Sequence, residues 1–313
     1  MSQFYTVSWF SAGVSSAVAT RLAIDSYGVD AIIYIDIEDQ HPDSMRFVKD
    51  CERWFGQPIT ILRSSYGTVE NACRAAGGRG WINGPGGAAC TRFLKKRVRK
   101  EWEAAFHLAS DGVMQWNAHR AKSSPNGNHT VAVNKPKQLR YVWGLDADEA
   151  SRAERIADAM PQFEHLFPLL DHASGNGMGK AEAHAVLRAS GIRRPAMYDL
   201  GYHNNNCVGC VKGGMGYWNK IRLDFPEVFA ARAKLERIIG ASCIKGVFLD
   251  ELPLNAGRHD GPIVDECGIF CEIISIEPST GENKELFLAN SEWLRFRNNA
   301  GGGQVKRGQG RWN

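Results

Sequence analysis

The sequence predicts an α/β protein built on a doubly wound parallel sheet, with a helical, loop-rich C-terminal extension. Three observations predict it. Short β-branched and aromatic runs alternate with helical patterns through the first 150 residues. A loop of small residues follows the first strand-like run, and the rhythm changes after Pro161. Strand and helix alternating through short connections is the pattern of a parallel sheet covered on both faces.

The elements follow in order. "FYTVSWF" and "AIIYID" have the composition of buried parallel strands, and "SSAVATRLAI" between them has that of a helix. Phe47, Val48, Cys51, Trp54 and Phe55 recur at helical spacing. "ITIL" reads as a third strand and "LRYVWG" as a later one, before the helix "DEASRAERIADAM". Helices are expected near 180–190 and over 226–239, the latter with Asp224 and Glu227 at capping-box spacing. The expected organisation is a nucleotide-binding α/β domain over 1–161, a helical segment with a C-x-x-C over 162–240, and an extension over 241–313.

A hydrophobic content of 43% and a charged content of 23% describe a folded globular chain rather than a disordered one. No apolar run approaches the roughly 18 to 20 residues that cross a bilayer, so no membrane partner is expected. The opening "MSQFYTVSWFSAG" lacks a basic region followed by an apolar run, which predicts a cytoplasmic protein. Cysteines that cluster in that compartment read as metal or redox sites rather than staples.

The net charge of +4 is mild, but its distribution is uneven. Gly112 to Leu145 contains no acidic residue and holds Arg120, Lys122, Lys135, Lys137 and Arg140. The segment 295–313 has five basic residues, no acidic one and many glycines. The loop 119–140 and the tail 295–313 are therefore two solvated loops or two phosphate-backbone contacts for a nucleic acid.

At the end of the first strand stands "FSAGVSSAV", a Ser/Gly loop suited to phosphate binding. Small residues let the backbone approach an anion that also faces a helix N-terminus. It is neither a Walker loop nor G-x-G-x-x-G. Asp36 closes the second strand, where a carboxylate reaches a ribose hydroxyl or an adenine amine. "GLDADEASRAER" occupies the same end of a later strand, and Cys90 opens the basic stretch "CTRFLKKRVRKEW". Cys207 and Cys210 form a C-x-x-C after three asparagines. By residue type alone this pair is a metal half-site, a dithiol redox pair or two inert core thiols. Cys51 and Cys73 fall on apolar helix faces and read as core.

Taken together, from residue 5 to about residue 240, these stretches resemble the phosphoadenosine-phosphosulfate reductase family of the PP-loop (HUP-like) superfamily. Ser11, Ala12, Gly13, Val14, Ser15 and Ser16 look like its S-G-G-x-[DS]-S loop. "GLDADEASRA" is similar to its second nucleotide signature with one residue fewer, and "MYDLGYHNNNCVGC" to its L-Y-x-x-G-Y-x-x-x-G-C-x-x-C. Two positions depart. Ala12 stands where members carry Gly, and Ser15 where members that cleave ATP between the α and β phosphates carry Asp.

The resemblance implies ATP or another adenine nucleotide as substrate, with magnesium as its companion, at Ser11, Gly13, Ser15, Ser16, Asp36, Gly144, Asp148 and Arg152. It implies a [4Fe–4S] cluster on Cys90, Cys207 and Cys210, with one iron open. A fourth thiolate from Cys267 or Cys271 would close the set, and zinc then suits the ligand count equally. Lys95, Lys96 and Lys212 are expected to offset thiolate charge or to hold phosphate, including that of a nucleic acid. The implied chemistry is nucleotide-dependent sulfur transfer from a sulfur donor. Two alternatives stand beside it: an adenylyl-sulfate reductase with Cys267 of "DECGIFCE" as nucleophile, and a non-catalytic nucleic-acid-binding protein.

Overall fold

In the computed structural model of the chain, residues 3–84, 87–108, 113–117, 128–132, 138–172 and 176–259 are described. Five strands form a parallel sheet: β1 (Phe4–Phe10), β2 (Ala31–Asp36), β3 (Ile59–Arg63), β6 (Gln138–Val142) and β7 (Glu164–Leu166). Their order is β3-β2-β1-β6-β7, so β1 is central and the winding reverses between β1 and β6. Ligands of such sheets sit outside the carboxyl ends of the strands at that reversal.

Side-chain alternation sorts the strands between two cores. Tyr5, Val7 and Trp9 of β1 and Ile33 and Ile35 of β2 point to one face; Phe10, Ile32 and Tyr34 point to the other. The second face is covered by α1 (Val14–Tyr27), α2 (Asp43–Phe55) and α6 (Lys180–Ala189). The first is covered by α3 (Val69–Arg74), α4 (Arg97–Leu108) and α5 (Ala150–Ala159), with α8 (Met215–Asp224) and α9 (Pro226–Ile239) further along. The short helix α7 (Ala196–Asp199) lies between α6 and α8. Trp9 meets Trp102 and Tyr141 edge to face at 5.6 and 5.9 Å. Each such pair adds about 0.5–1.5 kcal/mol beyond its buried area.

The doubly wound α/β reading therefore holds, and Cys51 and Cys73 are fully buried as expected. Burial is the main force raising both thiols, Cys73 to about 11, which leaves them unionised. β7 follows the change of rhythm at 161 yet pairs with β6, and all the described residues fall in one compact unit.

Two expectations are corrected. Within the segment read as a basic loop, Asn128–Ala132 form β5, antiparallel to β4 (Val113–Asn117), while the strand expected at "LRYVWG" is present as β6. Residues 119–127 and 133–137 of that loop lie outside the described residues. The capping box at Asp224 does not form either. Phe225 is the N-cap of α9 and Pro226 its first helical residue, the position where proline's missing N–H costs nothing. Asp224 instead accepts from the Tyr202 hydroxyl at 2.8 Å and pairs with Lys220 at 2.7 Å. Among the described residues no helix is long and apolar enough to cross a membrane.

Candidate functional site

The loop between β1 and α1 closes on itself through serine side chains. Ser16 Oγ accepts from the Ser11 N–H at 3.0 Å and from Ser11 Oγ at 2.9 Å, and Ser11 Oγ accepts from the Gly13 N–H at 3.3 Å. Ala12 has φ of 59°, the one non-glycine residue with positive φ among those described. That left-handed conformation costs an L-residue roughly 1–2 kcal/mol. Outside contacts hold it: the Asn205 side-chain amide donates to the Ala12 carbonyl at 2.9 Å and to Ser44 Oγ at 3.0 Å. Gly13 is the buried N-cap of α1 and supplies no side-chain cap to the helix. The Val14 N–H donates to the Tyr198 hydroxyl at 3.2 Å.

Behind the loop lies a buried polar group. Ser15 Oγ donates to Asp146 Oδ2 at 3.1 Å, and Lys180 Nζ stands 3.8 Å from the same oxygen. Lys180 also donates to Asn204 Oδ1. Ser15 is fully buried and Asp146 only 1% exposed. A buried polar side chain needs partners, and Asp146 has the Ser15 hydroxyl and the Lys180 side chain. Position 15 carries no acid, but an acid from the end of β6 is hydrogen-bonded to its hydroxyl.

The closeness of β6 to α1 depends on Gly144. A Cβ added there would lie 2.3 Å from Ser16 Cα, which is backbone and has no room to yield. The flank of the site is electropositive. Burial first, then the charges of Arg194, Lys180, His203 and Arg188, push the His184 imidazole below its ordinary value. His184 packs edge to face on Tyr198 at 4.8 Å, the residue whose hydroxyl meets the start of α1.

The other expected nucleotide residues sit differently. Asp36 ends β2 but is paired with Arg63 at 2.6 Å. Asp148 is exposed in the short helical turn Ala147–Glu149, and Arg152 pairs with Glu149 at 2.5 Å. The family resemblance implies Asp148; the buried acid is Asp146, two residues earlier.

The three asparagines before the C-x-x-C are the physical link between the two motifs. Asn204 meets Lys180, Asn205 meets the loop at Ala12, and all three are buried. The cysteines then sit in a turn at Val208 and Gly209, with Gly209 at φ of 72°. Tyr217 fixes the turn: its hydroxyl accepts from the Cys210 N–H at 2.8 Å and donates to the Cys207 carbonyl at 3.2 Å. The Val208 N–H donates to the Asp39 carbonyl at 2.8 Å, which places the turn beside the end of β2.

Asp39 joins further elements. Its carboxylate accepts from the Val69 N–H at 2.7 Å and pairs with Arg232 of α9 at 3.0 Å. The Arg232 side chain is 5% exposed.

Cys207 and Cys210 belong to the larger core, and half-buried Cys90 packs against that same core. Cys90 immediately precedes a π-helical turn, Thr91–Lys96, which contains buried Lys95 and half-buried Lys96. Lys212, half-buried, follows the C-x-x-C. In kind, three thiols on one core fit a thiolate-bound group. Among the described residues no three His, Cys, Asp or Glu side chains gather closely enough to hold a metal ion as they stand. Cys267, Cys271 and the tail 295–313 lie outside the described residues.

No family model matches the chain, and no curated protein matches it in sequence.

Proposed function

We propose that this protein is an adenine-nucleotide-binding enzyme of the phosphoadenosine-phosphosulfate reductase family, with PP-loop chemistry directed to sulfur transfer. The observation that carries the reading is the Ser11–Ser16 loop at the carboxyl end of the central strand, backed by Ser15, Asp146 and Lys180. The phosphates of ATP lie along the loop and the start of α1, where backbone N–H groups and the helix dipole favour negative charge. Asp146 supplies, one hydrogen bond away, the acid that position 15 lacks, and is the candidate partner for a magnesium ion on the nucleotide. Lys180 offsets charge on the departing pyrophosphate, a preorganised electrostatic role.

The reaction is a pair of displacements. An acceptor oxygen attacks the α-phosphorus and pyrophosphate leaves, so the acceptor is adenylated. A sulfur nucleophile from the donor then attacks the acceptor carbon, and AMP leaves with the C–O bond pair. Cys90, Cys207 and Cys210 are the residues that would hold an iron–sulfur cluster, which supplies a site for the transferable sulfur.

Lys180→Met is expected to slow acceptor-dependent pyrophosphate release from ATP on the order of a hundredfold, as removal of one transition-state donor does. Release at the wild-type rate in that variant would remove Lys180 from the reaction. Sulfite formed from phosphoadenylyl sulfate and lost in Cys267→Ser would favour the reductase chemistry instead.

The cysteine assignment has its own measurement. After anaerobic purification, iron and sulfide should be present in the wild type and lost from Cys90→Ala, Cys207→Ala and Cys210→Ala. Cys51→Ala and Cys73→Ala, buried in the packed cores, should retain them. Zinc without sulfide would replace the cluster by a closed zinc site, and a wild type without either metal would end the metal assignment.

A further inference from the structure

Beyond β3 the same edge of the sheet carries a strip of aromatic rings and arginines. Tyr66, Trp81 and Phe93 are half-buried, and the Phe93 ring lies 5.1 Å from Tyr66 and 6.3 Å from Trp81. Two exposed arginines lie over these rings. Arg92 is 5.4 Å from Trp81 and 5.5 Å from Phe93, and Arg97 is 5.7 Å from Tyr66. Arg97 also donates to the Tyr66 hydroxyl at 3.2 Å.

The strip is held in place from beneath. Ser64 Oγ donates to the Phe93 carbonyl at 2.9 Å. The Trp81 indole N–H donates to the Gly87 carbonyl at 3.0 Å, and its backbone N–H to the Cys73 carbonyl at 3.2 Å. The backbone at Phe93 and Trp81 and the Trp81 indole are thus held, so less order remains to be imposed when a planar ligand stacks there.

Charge points to the kind of ligand. Residues 63 to 100 contain nine Lys and Arg and one acidic residue, Glu70, and four of the nine are ion-paired: Arg63 with Asp36, Arg74 with Glu70, Arg97 with Glu101 and Arg99 with Glu103. The Lys100 ammonium is pushed below its ordinary value by burial first and then by Arg99, with Glu103 opposing and Lys96 and Arg92 adding to the shift. A polyanion is the complementary partner. Guanidinium planes backed by rings have use for exposed bases, which a single strand offers and a duplex keeps stacked inside.

We propose that the Tyr66–Trp81–Arg92–Phe93–Arg97 strip binds a single-stranded nucleic acid, with bases stacked on its planes and phosphates on the surrounding cations. Joined to the sulfur-transfer reading, on which this clause rests, it makes a nucleic-acid strand the acceptor. Phe93 follows Cys90 by three residues, so a strand on the strip passes the expected sulfur centre.

The test is fluorescence anisotropy of the full chain with a labelled oligothymidylate and oligouridylate of about 16 nucleotides, and with a duplex of equal length. The single strands should bind more tightly than the duplex. Arg92→Lys keeps charge and removes the plane, so it should weaken single-strand binding roughly fivefold or more, and Trp81→Ala at least as much. Arg92 and Arg97 are exposed, so Arg92→Lys and Arg97→Lys should fold normally even where Trp81→Ala does not. Duplex bound as tightly as single strand, no binding by the wild type, or wild-type affinity in both lysine variants would each overturn the proposal. ATP affinity measured on the same samples separates the two readings. In the wild type, ATP binding without oligonucleotide binding sinks the strip alone, and oligonucleotide binding without ATP binding sinks the nucleotide site alone.

Discussion

Asp39→Ala is expected to destabilise the protein by about 3–5 kcal/mol, the usual cost of leaving a buried charge without its partner. Arg232 is the charge left behind, and its Nε already has no hydrogen-bond partner in the structure. The same substitution removes the acceptor for the Val69 N–H at the start of α3. Because the Asp39 backbone carbonyl also holds Val208, the C-x-x-C turn should loosen with it. Urea unfolding of the variant measures the first effect, and alkylation of Cys207 and Cys210 measures the second. An Arg232→Met, Asp39→Leu double variant should recover much of the loss, since apolar replacement of both partners is often neutral. Loss below about 1 kcal/mol in Asp39→Ala would place the pair among weak surface bridges.

Gly144→Ala is expected to cost about 1–3 kcal/mol through overpacking and to remove ATP binding along with it. The added carbon meets Ser16 Cα, so relief requires α1 and its preceding loop to move away from β6. That movement would also part Ser15 from Asp146. Gly214 provides the control. A Cβ there meets nothing within 4 Å, and Gly214→Ala should cost no more than about 1 kcal/mol at its N-cap position, with ATP affinity unchanged. Gly144→Ala binding ATP as the wild type does would show that the loop tolerates displacement and is not the phosphate site.

What was legible beforehand follows from how local each signal is. β1, β2, β3, α1 and α2 bury most of their apolar residues, and their runs and periods stand out in the chain. β7 has three half-buried residues, too few for a pattern, and is a strand because β6 offers it an edge. The β4–β5 pair was hidden by the basic residues and turn chemistry of the surrounding segment. In the site, the serine loop was visible because small residues cluster after a strand. Lys180 and Asn204 were not, because their roles exist only when α6 and the asparagine run converge on Asp146. Asp39 and Arg232 lie 193 residues apart and carry no local signature at all.

The central claim is that the Ser11–Ser16 loop binds the phosphates of an adenine nucleotide, and titration calorimetry with ATP and magnesium tests it most directly. The wild type should bind ATP in a one-to-one complex. Gly13→Val, which adds a side chain at the buried N-cap of α1, should abolish that heat while leaving the unfolding transition intact. Equal ATP affinity in Gly13→Val and the wild type, or no binding by the wild type, would contradict the account.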